Sequence, residues 1–161
     1  MSVEMGAPAS ALRAHEELFA YWASRRKGGR LPGRADIDPA GIKRLLPSIC
    51  LVDVLSMPRV YRVRLAGTGL YGVFGGEVTG KRLPEIYDPA AAAYWRRELD
   101  EIVDGRRPGV GCHSLAWRGA THVSVLWMRL PLAANGRDVD MILGYDAVLR
   151  PPGGGAGVQA A

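Results

Sequence analysis

Two strand-like runs, residues 49–55 and 59–65, stand with only Ser56, Met57 and Pro58 between them. The first is compact and β-branched. The second alternates, with Tyr61, Val63 and Leu65 on one side of an extended chain and Arg62 and Arg64 on the other. A three-residue connection joins antiparallel neighbours, whereas parallel strands need a crossover of a dozen residues or more. The pair therefore reads as a half-solvated hairpin. Three further strand-like runs, 110–117, 122–132 and 139–149, are separated by Arg118-Gly119-Ala120 and by Ala134-Asn135-Gly136-Arg137, the second with the Asn-Gly hairpin signal. No strand–helix–strand alternation occurs, which argues against a doubly wound parallel sheet.

The helical segments fall around these strands. Over residues 9–27, Leu12, Leu18, Phe19, Trp22 and Ala23 give one apolar side, with Arg13, Glu16, Glu17 and Arg26 largely elsewhere; Gly28-Gly29 stops the helix. Asp38-Pro39 and Asp88-Pro89 each place a capping carboxylate before a proline at the first helical position, which needs no amide hydrogen. The first helix is short, ended by Pro47. The second runs to about residue 104 with Ala91 or Ala92, Trp95, Leu99, Ile102 and Val103 inward. Residues 67–89 are rich in glycine and hold only short turns. The expected architecture is α+β: a helical extension over 1–28, a domain over 29–150 with a five-stranded antiparallel sheet covered on one face by the middle helices, and a Gly/Pro/Ala tail over 151–161 with nothing to bury.

At 161 residues with 48% hydrophobic and 23% charged side chains, the chain can bury the core of one domain. No apolar run reaches the roughly 18–20 residues of a membrane span, and the N-terminus lacks a signal-peptide pattern. The expected setting is cytoplasmic, with Cys50 and Cys112 as buried free thiols. The net charge of +5 is spread in small groups, such as Arg96-Arg97 beside Glu98, Asp100, Glu101 and Asp104. That pattern describes a solvated surface better than a nucleic-acid face.

Chemical motifs are few. Gly67-Thr68-Gly69-Leu70-Tyr71-Gly72 matches G-x-G-x-x-G, but Gly75-Gly76 interrupts before a full helix can meet a pyrophosphate. His15, His113 and His122 have no metal-ligand spacing. Cys112 and His113 are adjacent on a strand and so point to opposite faces, which rules out a nucleophile–base pair. No catalytic set stands out, and no cofactor is implied by a motif.

The order of two strands, short helices, one longer helix and three hairpin-linked strands is that of a PAS domain. Residues 29–39 (Gly-Arg-Leu-Pro-Gly-Arg-Ala-Asp-Ile-Asp-Pro), Arg44-Leu45-Leu46-Pro47, Leu51-Val52-Asp53-Val54, the run from Tyr61 to Thr68 and the run from Phe74 to Leu83 resemble a bacterial family of stand-alone PAS-like proteins, often alphaproteobacterial. The resemblance covers roughly residues 15–150 and implies a sensory or regulatory role with the ligand left open. Some PAS domains bind haem through a histidine, but haem held through His113 is not expected here.

On that fold, strand alternation groups Tyr61, Val63 and Leu65; Leu126, Met128 and Leu130; and Met141, Leu143 and Tyr145. With Tyr71, Phe74 and Trp95 they are candidates to line a small-molecule pocket between sheet and helices, or to fill the core. Leu12, Phe19 and Trp22 on the leading helix, with Trp117 and Trp127 on neighbouring strands, are candidates for an interface, homodimerisation being the favoured use. The expected function is a regulatory domain that binds a small ligand or a protein partner and signals in trans, since no output segment is encoded. A ligand-free interaction adaptor is the rival, separated from it by whether a cavity exists. An enzyme using His113 or His122 as base ranks lower.

Overall fold

The computed structural model describes residues 7–151. Its centre is one antiparallel sheet in the order β2-β1-β5-β4-β3, built from β1 (Ile49–Leu55), β2 (Val60–Ala66), β3 (Gly109–Leu115), β4 (Ala120–Leu132) and β5 (Met141–Leu149). The β1–β2 hairpin carries a register shift at Leu51/Val52: Leu51 pairs with Leu65 but Val52 pairs with Val63, leaving Arg64 unopposed. A one-residue slip reverses which face every later side chain meets. Tyr61 and Val63 therefore share the face of Val52 and Val54, while Leu65 shares the opposite face with Leu51.

Each face is covered by its own layer. On one side lie the 3-10 turn Thr68–Leu70, the short helices α2 (Tyr71–Phe74) and α3 (Leu83–Ile86), and the long helix α4 (Pro89–Gly105). Asp88 caps α4 by accepting from the Ala91 amide, with Pro89 at its first position. Ala91, Trp95, Leu99 and Ile102 face the sheet at helical spacing, joined by Cys50, Val52, Val54, Tyr61, Val125, Trp127 and Ile142.

The other side is covered by α1 (Ala9–Ser24) and the kinked 3-10 segment Pro39–Ser48, which Asp38 caps. Leu18 and Trp22 are buried there with Ile37, Ile42, Leu45, Ile49, Leu51, Met128, Leu130, Leu132 and Leu143. Two polar ties fasten α1 to β4: the Trp22 indole donates to the Pro131 carbonyl (3.0 Å), and His15 Nε2 lies 3.1 Å from the Leu126 carbonyl. The leading helix thus packs on its own sheet. None of the described helices is long and apolar enough to cross a membrane. Cys50 is buried, but Cys112 is exposed, against expectation, because the even-numbered residues of β3, although on the α1 side of the sheet, sit on its edge strand and are left uncovered. The expected tail lies outside the described residues from position 152 onward, and the start of the expected N-terminal extension, residues 1–6, lies outside them as well.

Candidate functional site

The face of the sheet under α4 carries a buried ion pair. Register places Trp127 opposite Asp146 and Arg129 opposite Gly144, so Trp127, Arg129 and Asp146 share that face. Arg129 Nη1 donates to Asp146 Oδ1 at 2.8 Å, with both side chains at most 4% exposed. The same nitrogen reaches the Met128 and Tyr145 carbonyls at 3.0 and 3.3 Å. The guanidinium carbon sits 4.8 Å from the Trp95 ring centre and 5.9 Å from that of Trp127, within cation–π range. Burial works against the Arg129 charge, but the adjacent Asp146 carboxylate more than offsets it and holds the guanidinium charged.

Gly144 makes this arrangement possible. A Cβ there would fall 2.4 Å from Cys50 Sγ and 2.9 Å from Arg129 Nη1. Arginine and cysteine lie across the bare backbone, and burial pushes the Cys50 thiol up to about 11.

Aromatic rings roof the pair. Trp95 packs on Trp127 at 5.2 Å between centroids, Tyr87 stacks on Trp95 at 6.1 Å, and Phe74 meets Tyr87 at 6.3 Å. Trp127 Nε1 donates to the Tyr94 hydroxyl at 2.9 Å, whereas Trp95 Nε1 is buried with no partner among the described residues. What space remains between Cys50, Phe74, Leu83, Tyr87, Trp95 and Arg129 is about 20 Å³, enough for one water. Burial raises the Tyr87 phenol well above its ordinary value, so it stays protonated as a donor.

Leu83 also lines an open apolar cleft of about 300 Å³ on the outside, formed by Val60, Tyr61, Pro84, Ala92 and Ala93 with Arg82 and Arg96 at its rim. Behind it Tyr61 donates to Asp100, which Arg59 also contacts at 3.3 Å, and Arg59 reaches Asp104 at 2.8 Å. Burial and Asp100 raise the Tyr61 phenol, so its proton remains in place.

Comparison with known proteins bears on this arrangement. A family model described as PAS domain matches residues 11–146. The chain belongs to the PAS domain family. The PAS domain of Bordetella pertussis BvgS superposes with a TM-score of 0.53 at 21% identity, over 72% of this chain and 90% of that one. The RsLOV d2 variant gives 0.52 at 15% identity, over 88% and 70%. These likenesses concern the fold. No curated protein matches the sequence.

This PAS domain does not bring the twelve pocket candidates to one place. Tyr61, Val63, Phe74 and Trp95 are on the α4 side, and Tyr71 is on α2 but half exposed, its hydroxyl turned to Glu77. Met128, Leu130, Leu143 and the partly buried Met141 and Tyr145 belong to the core under α1; Leu126 shares their face; Leu65 joins that face through the β-bulge. The interface candidates divide too. Leu12 and Phe19 are exposed, but Trp22 is inside the α1 core, Trp127 lies beneath Trp95, and Trp117 packs edge-on against Tyr87 at 4.8 Å. Trp127 is odd-numbered on β4, like Val125 and Arg129, and that is the face the middle helices cover. The expected faces of β4 and β5 are therefore exchanged. Arg129 and Asp146 were missed for the same reason: charges at alternate positions read as a solvent face. The signal available was Trp127 between Val125 and Arg129, an aromatic in a row otherwise taken for surface. In the glycine motif, a Cβ on Gly67 would meet the Leu46 and Pro47 carbonyls at 2.4 Å, so Gly67 serves close backbone passage.

Proposed function

We propose that this PAS domain is a cytoplasmic, dimeric regulatory module that senses a small molecule bearing an anionic or hydrogen-bond-accepting group and passes the signal to a protein partner. The observation that carries the reading is the buried Arg129–Asp146 pair beside the unpartnered Trp95 indole. Such groups are costly to bury without acceptors. A ligand oxygen between Trp95 Nε1 and Arg129 would supply one. Entry would pass from the outer cleft, whose rim bears Arg82 and Arg96, by displacement of Leu83. The segment that must move contains Gly75, Gly76 and Gly80, all at positive φ. A bound state would then shift the arrangement of α3 and α4 on the sheet, provided the ligand binds the two arrangements unequally.

The 20 Å³ of remaining space favours a second reading, an interaction adaptor whose core is filled by side chains. Native mass spectrometry of the purified protein separates the two. Under the sensor reading wild type carries a stoichiometric small molecule, Arg129→Lys carries less, and denaturation releases it. A bare chain that also fails to shift its melting temperature across a panel of small carboxylates and phosphates supports the adaptor instead.

A further inference from the structure

A sheet of five strands leaves two edges, here β2 and β3. The β2 edge is guarded. It carries Arg62 and Arg64, and its outer backbone is occupied: the Val63 amide donates to the Lys81 carbonyl at 2.9 Å, and the Gly80 amide to the Val63 carbonyl at 2.7 Å. The β3 edge has neither device. Its sequence, Gly-Val-Gly-Cys-His-Ser-Leu, is that of the one strand among the five without a charged residue. Among the described residues, no hydrogen bond from outside β4 reaches its backbone. Edge strands are ordinarily protected by charge, proline, a bulge or a covering segment. The bulge in β3 falls only at its far end, at Ser114/Leu115.

The side chains beside this edge are apolar as well. Val110 pairs with Met128 and Cys112 with Leu126, so both point to the face that α1 covers. Val110 is 62% exposed. On α1, Glu17 and Tyr21 turn one flank toward the segment Pro39–Ser48 through Arg44 and the Asp38 carbonyl. Leu12 and Phe19 lie on the opposite flank, which looks toward β3, and remain 47% and 44% exposed. Gly109 and Gly111 face the other way, where Ile102 and the Trp127 ring fill the space a Cβ would need. The strand is thus held flat against its own core and bare on its outer line.

We propose that β3 is the homodimer edge: two copies pair their β3 strands antiparallel about a two-fold axis near Gly111 and Cys112, continuing the sheet from one subunit into the next. A second copy fits better than an unrelated strand because the pairing is self-complementary. Each copy carries a net charge of +5, and β3 is a line along which two like-charged molecules meet without opposing charges. The two-fold also sets Val110, Leu12 and Phe19 of both copies on a common face. This inference rests on the dimeric part of the proposed function and assigns it a surface.

Light scattering on size-exclusion chromatography tests it, with wild type, Val110→Lys and Leu65→Lys compared at equal concentration and circular dichroism confirming the fold of each. Val110 and Leu65 are both exposed, so neither lysine needs burying. The expected result is a dimer for wild type and Leu65→Lys, with the Val110→Lys dissociation constant raised about 100-fold or more. Mild oxidation should link wild-type dimers through Cys112, but not Cys112→Ser, because paired residues of antiparallel strands come within disulfide range. A wild-type dimer that Val110→Lys leaves intact overturns the β3 assignment while leaving the dimeric reading in place. A monomeric wild type overturns both. Hydrogen exchange then identifies the alternative: slow β3 amides mean the chain's own residues cover the edge, and fast ones leave it to a different protein.

Discussion

Replacing Asp146 by Asn removes one charge from the buried pair and keeps the shape. Arg129 is then left as a cation with two backbone carbonyls, at 3.0 and 3.3 Å, and two indole faces. Breaking a buried pair from one side costs about 3–5 kcal/mol, and the surviving carbonyl contacts place this case near the lower end, about 3 kcal/mol. For a chain of this size about 1 kcal/mol moves the melting temperature by roughly 2–4 °C, so Asp146→Asn should lower it by about 6–12 °C. Arg129→Met leaves the Asp146 carboxylate buried and should cost about as much. The double variant has neither charge and should cost only about 1–2 kcal/mol, because a neutral, well-packed replacement restores most of the loss. Urea unfolding of all four proteins gives the coupling energy, expected at about 4–5 kcal/mol in magnitude. Additive losses, or an Asp146→Asn cost under about 1 kcal/mol, would refute the claim that the pair is buried and mutually dependent.

Three further outcomes follow from the same face and its surroundings. Gly144→Ala should destabilise by about 1–3 kcal/mol through overpacking, and Cys50→Ala should return part of that loss by removing the sulfur 2.4 Å from the new carbon; no rescue would mean the collision is absent. At pH 8 a thiol reagent should modify Cys112 quickly and Cys50 only after unfolding, since burial pushes Cys50 to about 11 and Cys112 is exposed; two fast equivalents would contradict this. His15 and His113 are both held below the ordinary imidazole value of 6.5 by burial, so the unfolded chain binds more protons. Their contribution is therefore intact above about pH 6.5 and lost as the pH falls below it. Unfolding free energies at pH 7.5, 6.5 and 5.5 should show that decline, and His15→Gln/His113→Gln should flatten it; an unchanged slope in the double variant would assign the decline elsewhere.

Order and type of the elements were legible in the sequence because each has a local cause. The Asp-Pro pairs start their helical segments at Pro39 and Pro89, and the Met57-Pro58 and Asn135-Gly136 turns separate the strands they should. The faces were not legible. On β4 the even residues Leu126, Met128 and Leu130 look like the side the middle helices cover, yet α1 covers them. With both faces buried, alternation identifies two sides without saying which layer meets which. The bulge at Arg64 is equally silent: nothing in the run from Tyr61 to Leu65 announces that Leu65 turns to the other face. The ion pair joins residues 17 apart in sequence whose proximity depends on the β4–β5 register, so no short motif could carry it.

β4 is a wall one strand thick with an occupant on each side. Arg129 and Trp127 hold one room, while the carbonyls of Leu126 and Pro131 anchor His15 and Trp22 of α1 in the other. Displacement of the strand cannot be private to either side, and linkage makes the traffic equal in both directions. A partner that draws α1 away would alter the affinity of the Arg129 room by the same factor that an occupant of that room alters the hold on α1.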